Sequence, residues 1–287
     1  MRRLAIPVAV LAAQLCICAS GAAERAHRDV SFTTSEGTWM SLDVSPDGKT
    51  IAFDLLNDIY VMPAEGGTAT VIHSGPAVQR SPQFSPDGKT LLYLSDESGA
   101  DNIWISALDG SNPRQLSQET LALIVGPAWA HDGRSIVASK TNATVHEMKT
   151  SQIRRFFLDG APEQIVVAPP ESGKDLQESR LSPDGRHLYY TERRGGDHYV
   201  YVNTGLGNFV IRRRDLQTGE TVDLIGGFGS ATTPQASPDG RQIAFIRRLG
   251  ARTVLFRHDV QAGSQHPVYQ NLDRDLQGDY IPQEHYY

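Results

Sequence analysis

The sequence predicts an all-β fold, namely a β-propeller whose blades are four-stranded antiparallel sheets. Three observations lead to this prediction. A turn-forming tetrapeptide recurs along the chain, short segments rich in Val, Ile, Phe and Tyr follow each copy, and no long segment has the period of an amphipathic helix. One four-stranded meander cannot bury both of its faces, whereas sheets stacked around an axis bury each face against a neighbour.

The tetrapeptide Ser-Pro-Asp-Gly is the clearest repeat. It occupies residues 45–48, 85–88, 182–185 and 237–240, and a degraded copy, Ala-His-Asp-Gly, occupies residues 130–133. Proline presets φ at the first central position of a turn, Asp suits the second, and Gly accepts positive φ at the exit. Because the copies are 40, 45, 52 and 55 residues apart, we predict five blades and interpret the turns as scaffold.

Each repeat predicts four strands. In the first repeat, the strand before the turn is predicted over residues 42–44, the strand after it over 51–53, the third over 59–61 and the closing strand over 70–72. A second glycine-containing turn separates the last two strands in every repeat. In the later repeats only two residues before the turn indicate the first strand.

Residues 1–23 have the pattern of a secretory signal peptide. A positive start (Arg2 and Arg3) precedes an apolar stretch that is too short to span a membrane, and small residues suit cleavage after Ala23. The two cysteines, Cys16 and Cys18, lie in this segment. We therefore expect an exported protein, periplasmic or extracellular, with no membrane span after cleavage.

Residues 24–287 are predicted to be one propeller domain that is truncated at its C-terminus. A sixth turn is expected at roughly 278–293, and residues 280–287 look like the start of a sixth blade. The alternative is a closed five-bladed ring. Residues 30–34 are the expected N-terminal closing strand.

The repeat resembles a known family. Phe-Ser-Pro-Asp-Gly-Lys at 84–89, Asp-Asn-Ile-Trp at 101–104 and Asp-Gly-Ser-Asn-Pro-Arg-Gln-Leu at 109–116 resemble the PD40 repeat of TolB-like propellers, which is WD40-like. The resemblance extends over roughly residues 28–287 and implies a domain that binds a protein or peptide. The third copy departs from the pattern, because Ala130 and His131 replace Ser-Pro.

A second resemblance concerns residues 36–44, which are similar to the opening of exported bacterial proteins in which such a propeller precedes a metal-dependent amidohydrolase domain. It implies a non-catalytic binding or accessory propeller with a covalently following hydrolase domain. Two alternatives remain: a stand-alone periplasmic protein-binding propeller of the TolB type, and the propeller of a prolyl-oligopeptidase-like serine peptidase. The sequence contains no His-x-His and no Gly-x-Ser-x-Gly, so we expect no catalytic residue, metal or cofactor in this chain.

The candidate binding residues lie in the longest loop that we expect within a blade, between Tyr190 and Asn208. They combine basic and aromatic side chains suited to a peptide or an anion: Arg193, Arg194, His198, Tyr199 and Tyr201. The formal net charge of −6 argues against a nucleic-acid partner. The nine histidines have no metal-ligand spacing.

Overall fold

A computed structural model describes residues 32–37, 40–142, 151–168, 175–194, 209–249 and 252–271. The chain divides into two units, Met1–Glu36 and Gly37–Tyr287. In the first unit only residues 32–36 are described. They contain no strand, so the expected closing strand is wrong for residues 32–34. The predicted signal peptide and the expected start of a sixth blade lie outside the described residues.

The second unit contains five four-stranded sheets, each an antiparallel meander in sequence order. Blade 1 consists of β1 (Leu42–Val44), β2 (Thr50–Leu55), β3 (Asp58–Pro63) and β4 (Thr70–His73). Blade 2 consists of β5 (Gln79–Phe84), β6 (Thr90–Ser95), β7 (Asn102–Ala107) and β8 (Arg114–Gln115). Blade 3 consists of β9 (Ala122–Trp129), β10 (Ser135–Asn142), β11 (Ser151–Phe157) and β12 (Gln164–Val167).

Blade 4 consists of β13 (Leu176–Leu181), β14 (His187–Arg193), β15 (Phe209–Asp215) and β16 (Thr221–Ile225). Blade 5 consists of β17 (Thr232–Ala236), β18 (Gln242–Leu249), β19 (Arg252–Asp259) and β20 (Gln265–Tyr269). The predicted five-bladed β-propeller architecture is confirmed. No helix within the described ranges is long and apolar enough to cross a membrane.

The first strand of each blade lines the axis, because β1, β5, β9, β13 and β17 pack on one another in succession. The turns between first and second strands and those between third and fourth strands lie at one end of the propeller, which we call the turn end. The connections between second and third strands and those from blade to blade lie at the other end, the loop end.

The hydrophobic core is divided among the four junctions between consecutive blades. Between blades 2 and 3, Leu92, Leu94 and Ile103 pack against Ile124 and Ile136, and all five side chains are fully buried. Junction packing, rather than any single sheet, therefore excludes water from these strands.

The first strands of blades 2 to 5 are longer than the sequence indicates. In each, one residue adopts a left-handed conformation with φ between 53° and 58°, namely Ser81, Gly126, Glu178 or Thr233. The pairing of the first and second strands shifts register at this point, as expected for a β-bulge. Three of the four residues are not glycine, so the sequence has no consistent residue that would predict the bulge.

The Ser-Pro-Asp-Gly turns are held by their own side chains. Ser85 Oγ donates to Asp87 Oδ1 at 2.6 Å and accepts the Thr90 N–H at 2.9 Å. The hydroxyl of Ser85, followed by the Lys89 N–H, lowers the pKa of Asp87. The same serine–aspartate bond occurs in the first, fourth and fifth copies. In the third copy Asp132 keeps the bond from the Arg134 N–H but has no serine partner, because Ala130 has no hydroxyl.

Candidate functional site

Two of the five candidate residues predicted from the sequence, Arg193 and Arg194, are described, at the end of β14. His198, Tyr199 and Tyr201 lie outside the described residues. Arg193 Nη1 lies 3.2 Å from Asp175 Oδ2, so its charge is compensated within blade 4.

Arg194 belongs to a charge cluster on the same blade. It pairs with Asp223 and with Glu192, and Arg212 pairs with the same two carboxylates at 3.2 and 2.7 Å. The side chain of Glu192 is only 3% exposed. Burial works against the charge of Arg212, but the hydrogen bond and charge of Glu192 outweigh it and raise the pKa of that guanidinium. The two arginines that we predicted as ligand contacts thus have partners within the blade.

A different set of polar residues meets at the axis. The position three residues before the second residue of each turn motif varies between blades, and in blades 1 to 5 it is occupied by Asp43, Gln83, Ala128, Arg180 and Gln235. We call these five residues the axial ring. The residues around them repeat from blade to blade, whereas the ring combines an acid, a base and two amides.

Arg180 is the most connected member of the axial ring. Its Nε donates to Gln235 Oε1 at 3.0 Å, and its Nη1 donates to the carbonyl oxygens of Ser179 at 2.9 Å and Gly126 at 3.4 Å. The guanidinium therefore joins blades 3, 4 and 5 near the axis.

Asp43 supplies the negative charge of the axial ring, from blade 1. Its Oδ2 accepts the N–H of Phe84 at 2.8 Å. Burial raises the pKa of Asp43, and the Phe84 hydrogen bond and the positive charge of Arg180 oppose this rise. An acid and a base thus influence each other although they belong to blades 1 and 4.

Other carboxylates near the axis have a structural role, because they hold the bulges. Asp54 accepts the N–H groups of Ser41 and Ser81, each at 2.7 Å, and so links blades 1 and 2. Glu178 accepts the N–H of Thr233 at 2.6 Å and its hydroxyl at 3.1 Å, and so links blades 4 and 5. Burial raises the pKa of Asp54. The bonds from Ser81 and Thr233 satisfy amides that a bulge removes from the sheet.

The axis presents polar side chains and the inner edges of the first strands. Each first strand is an edge strand, paired within its sheet on one side only, so its other edge faces the axis. Gln83 and Gln235 each carry a donor and an acceptor, Arg180 only donors, and Asp43 only acceptors when ionised.

In the described part of the chain, no group of three or more His, Cys, Asp or Glu side chains could hold a metal ion.

The axial ring was missed by reasoning from motifs, because a lone Gln or Arg beside a turn carries no signature. The signal was nevertheless present in the repeat. When the five copies are aligned on the turn, the column three residues before proline reads Asp, Gln, Ala, Arg and Gln, whereas the turn columns are almost constant.

Comparison with known proteins identifies relatives of the chain. Residues 24–196 match the family described as TolB beta propeller domain, PD40. The chain is 34% identical over 180 residues to the Tol-Pal system protein TolB of Wolinella succinogenes, covering 60% of this chain and 40% of that protein. It is 23% identical over 266 residues to dipeptidyl-peptidase 5 of Porphyromonas endodontalis, covering 75% of this chain and 38% of that protein.

The crystal structure of TolB from Acinetobacter baumannii shares the fold, with a TM-score of 0.61 and 19% identity, over 80% of this chain and 52% of that one. The chain spans about two fifths of the length of the two curated relatives. The family match covers more than half of the sequence and agrees with the five-bladed architecture. The chain therefore belongs to the TolB β-propeller (PD40) family.

Proposed function

We propose that this propeller is a non-catalytic binding domain that holds an extended polypeptide segment in its axial ring. The observation that carries the proposal is the contrast within the repeat. The turn and junction positions recur in similar form, while the five equivalent axial positions carry an acid, a base, two amides and an alanine. Residues that maintain a repeat are alike, and residues that recognise an asymmetric ligand differ from blade to blade.

A polypeptide matches the axial ring because its backbone alternates N–H donors and C=O acceptors. The amides of Gln83 and Gln235 complement both, Asp43 accepts from N–H groups or a cation, and Arg180 donates to carbonyl or carboxylate oxygens. The inward edges of the first strands add backbone groups of the same kind. The ligand is then a protein or peptide and not a nucleic acid, whose charge the acidic chain would repel.

The domain fits an exported protein of larger size. The signal-peptide pattern over residues 1–23 supports export to the periplasm or the cell exterior. The similarity of residues 36–44 to the opening of exported amidohydrolases supports a metal-dependent hydrolase domain that follows covalently, for which this propeller is the accessory domain. The chain itself uses no cofactor under this proposal.

A second candidate is the propeller of a serine peptidase. It is favoured by the match to dipeptidyl-peptidase 5, of which this chain covers 38%. A third is a stand-alone propeller like the matched TolB. The continuation of the reading frame separates them: a His-x-His metal-ligand set indicates the amidohydrolase, a Gly-x-Ser-x-Gly elbow the peptidase, and a stop codon the stand-alone propeller.

The binding function is tested with the secreted protein on an array of random 12-residue peptides. We expect selective retention of a subset of peptides, and loss of that subset in an Asp43→Asn, Gln83→Ala variant. A variant changed at exposed Val71, on the outer strand β4, is the matched control. Equal retention by all three proteins would contradict the axial site. Hydrolysis of peptide, ester or cyclic-amide substrates by residues 24–287 alone would contradict the non-catalytic role.

A further inference from the structure

The two ends of the propeller differ in the apolar side chains that they expose. In the described turns of the turn end, Leu108, at 36%, is the only large apolar side chain that is exposed. The connections at the loop end present four such side chains, each more exposed than that of Leu108: Leu56, Leu121, Phe228 and Leu249. The first two lie beside blades 1 and 2, and the other two lie beside blades 4 and 5.

The connection that carries Phe228 is held in place by blade 5. The guanidinium of Arg247 donates to the carbonyl oxygens of Gly226 at 2.8 Å and Ser230 at 3.1 Å. The carbonyl oxygen of Gly229 accepts a backbone N–H of β18 at 2.9 Å, and a Cβ on Gly229 would stand 1.9 Å from a carbonyl oxygen of that strand. Phe228 is nevertheless 73% exposed. An aromatic side chain on so fixed a connection loses little entropy when a partner covers it.

Leu56 is exposed by a turn that does not suit it. Leu56 and Asn57 form the two-residue connection between β2 and β3, and their φ angles are 54° and 70°. Such a turn favours Asn or Gly at both positions, and a left-handed conformation is uncommon for Leu. An apolar side chain at an unfavourable and exposed position indicates a role in recognition.

The loop-end connections of blades 1 and 2 are acidic. No Lys or Arg occurs in their residues, which are 56–58, 74–78, 96–101 and 117–121. Of the carboxylates there, Asp101 and Glu119 are neutralised by cations of neighbouring strands. Three others form no ion pair among the described residues: Asp58, Asp96 and Glu97. We call these three residues, together with the two exposed leucines beside blades 1 and 2, the acidic patch.

Hydrogen bonds join the connections that carry the acidic patch. Asp58 and Asp96 both accept N–H groups of residues 74–78, at 3.3 and 2.7 Å. The side-chain amide of Asn102 donates to the carbonyl oxygens of Ala100 and Glu119, at 3.0 and 3.1 Å. The acidic patch is therefore one continuous surface.

The loop end of blade 5 has the opposite charge. The partners of the Arg247 guanidinium are carbonyl and amide oxygens, so its charge is not neutralised by a carboxylate in the described part of the chain. Arg252 is exposed, lies opposite Leu249 in the pairing of β18 with β19, and forms no ion pair among the described residues. We call the following four residues the basic patch: Phe228, Arg247, Leu249 and Arg252.

We propose that a second copy of this chain docks on the loop end, so that the basic patch of each copy meets the acidic patch of the other. A single two-fold axis forms both contacts at once, because an isologous interface pairs the same surface of two copies. Opposite charge decides which patches meet, since the alternative pairing places like charges together. Burial of the exposed apolar side chains favours the association.

Other occupants match only half of this surface. An anionic membrane or an acidic protein suits the basic patch and is repelled by the acidic patch. A second copy carries both charges in the arrangement that the surface needs. This inference is independent of the proposed function, because it involves no residue of the axial ring.

Sedimentation equilibrium of the secreted protein over a range of concentrations tests the proposal. We expect a reversible monomer–dimer equilibrium without larger species, weaker in about 0.5 M NaCl because salt screens exposed charges. Arg252→Glu, Glu97→Arg and Phe228→Asp should each weaken dimerisation at least about tenfold. The matched controls are the same charge reversals at exposed turn-end positions of blades 5 and 1, Arg241→Glu and Glu65→Arg, and they should leave dimerisation unchanged.

A photo-crosslinking benzoylphenylalanine at position 228 identifies the contact directly. We expect an adduct of twice the chain mass in which the attached peptide contains residues 56–58, 96–101 or 117–121. The same group at position 108, at the turn end, should give no such adduct. An adduct to residues 226–230 of the second copy would show that like patches meet and would overturn the proposal. A monomer at every concentration, species larger than a dimer, or a dimer that the loop-end variants do not weaken would also overturn it.

Discussion

Positions that repeat from blade to blade and the axial positions that differ lie only a few residues apart along the chain. Ser85 and Asp87 form the turn of blade 2, and Gln83, two residues earlier, belongs to the axial ring. The repeated positions are held by short local hydrogen bonds and by junction cores. The axial positions interact mainly across blades, as Arg180 does with Gln235. The difference teaches that the residues that hold the fold and the residues to which we assign recognition by proposal occupy separate columns of one repeat.

The largest effect should come from the junction core. Leu94→Ala removes a fully buried side chain between blades 2 and 3, so we expect a loss of about 2–5 kcal/mol in the free energy of unfolding. Urea denaturation measures it. Gln83→Ala in the same blade is the axial counterpart and should cost less than about 0.5 kcal/mol. Equal costs would remove the distinction between the two kinds of position.

The turn should contribute less than the core. Ser85→Ala removes the acceptor for the Thr90 N–H and the donor to Asp87, and we expect a loss of about 1 kcal/mol. The degraded third copy provides the reverse experiment, because Ala130→Ser restores the hydroxyl beside Asp132 and should raise stability. The midpoints of urea unfolding of the two variants, compared with that of the wild-type protein, measure both effects. A neutral Ser85→Ala would show that the tetrapeptide's hydrogen bonds do not hold the turn.

A smaller gain is expected from His131→Pro, which restores the proline missing from the third copy. The N–H of His131 donates no described backbone hydrogen bond, and no atom of the described residues lies within 4 Å of a Cβ built on Gly185, the site a proline would approach. Restricting the unfolded chain should stabilise the protein by about 0.4–1 kcal/mol. Thermal unfolding detects it. Destabilisation would mean that blade 3 has a backbone unlike the other turns.

The smallest effect is a pH dependence of the turns. The hydroxyl of Ser85 and the N–H of Lys89 lower the pKa of Asp87 in the folded state. Its contribution is therefore complete above the unfolded pKa of about 4 and is lost as the pH falls through the lower folded value. Urea midpoints at pH 5 and pH 3 should differ less in Asp87→Asn than in the wild-type protein. An unchanged difference would assign the acid sensitivity to other carboxylates.

Much of the fold could be predicted from the sequence, because the turn chemistry is local. Most strand cores predicted for the five repeats, such as residues 51–53, 59–61 and 70–72, lie within an observed strand, but Leu116 lies outside β8 and residues 32–34 form no strand. The bulges at Ser81, Glu178 and Thr233 could not be predicted, since these residues make their contacts with a neighbouring blade, such as Ser81 with Asp54. The turns and strands of this protein are determined by residues close together in the sequence, whereas the bulges depend on contacts between blades.

The pairing of the candidate site residues could not be predicted, for a related reason. Arg193 and Arg194 have the composition of a ligand contact, but the sequence does not show that Asp175 and Asp223 pair with them. To predict the axial ring, one would have to know that residues some 40 to 55 positions apart in the sequence converge on one axis. Only the three-dimensional arrangement of the blades supplies it.

The central claim is that the axial ring recognises the ligand and the turn end does not. It is tested by calorimetric titration of the secreted protein with a peptide selected on the array. Arg180→Gln is compared with Arg186→Gln, whose native guanidinium pairs with Asp215 at the turn end of the same blade, and equal melting temperatures confirm folding. We predict at least about a tenfold weaker affinity for Arg180→Gln and wild-type affinity for Arg186→Gln. Wild-type affinity in Arg180→Gln, or an equal loss in both variants, would contradict the account.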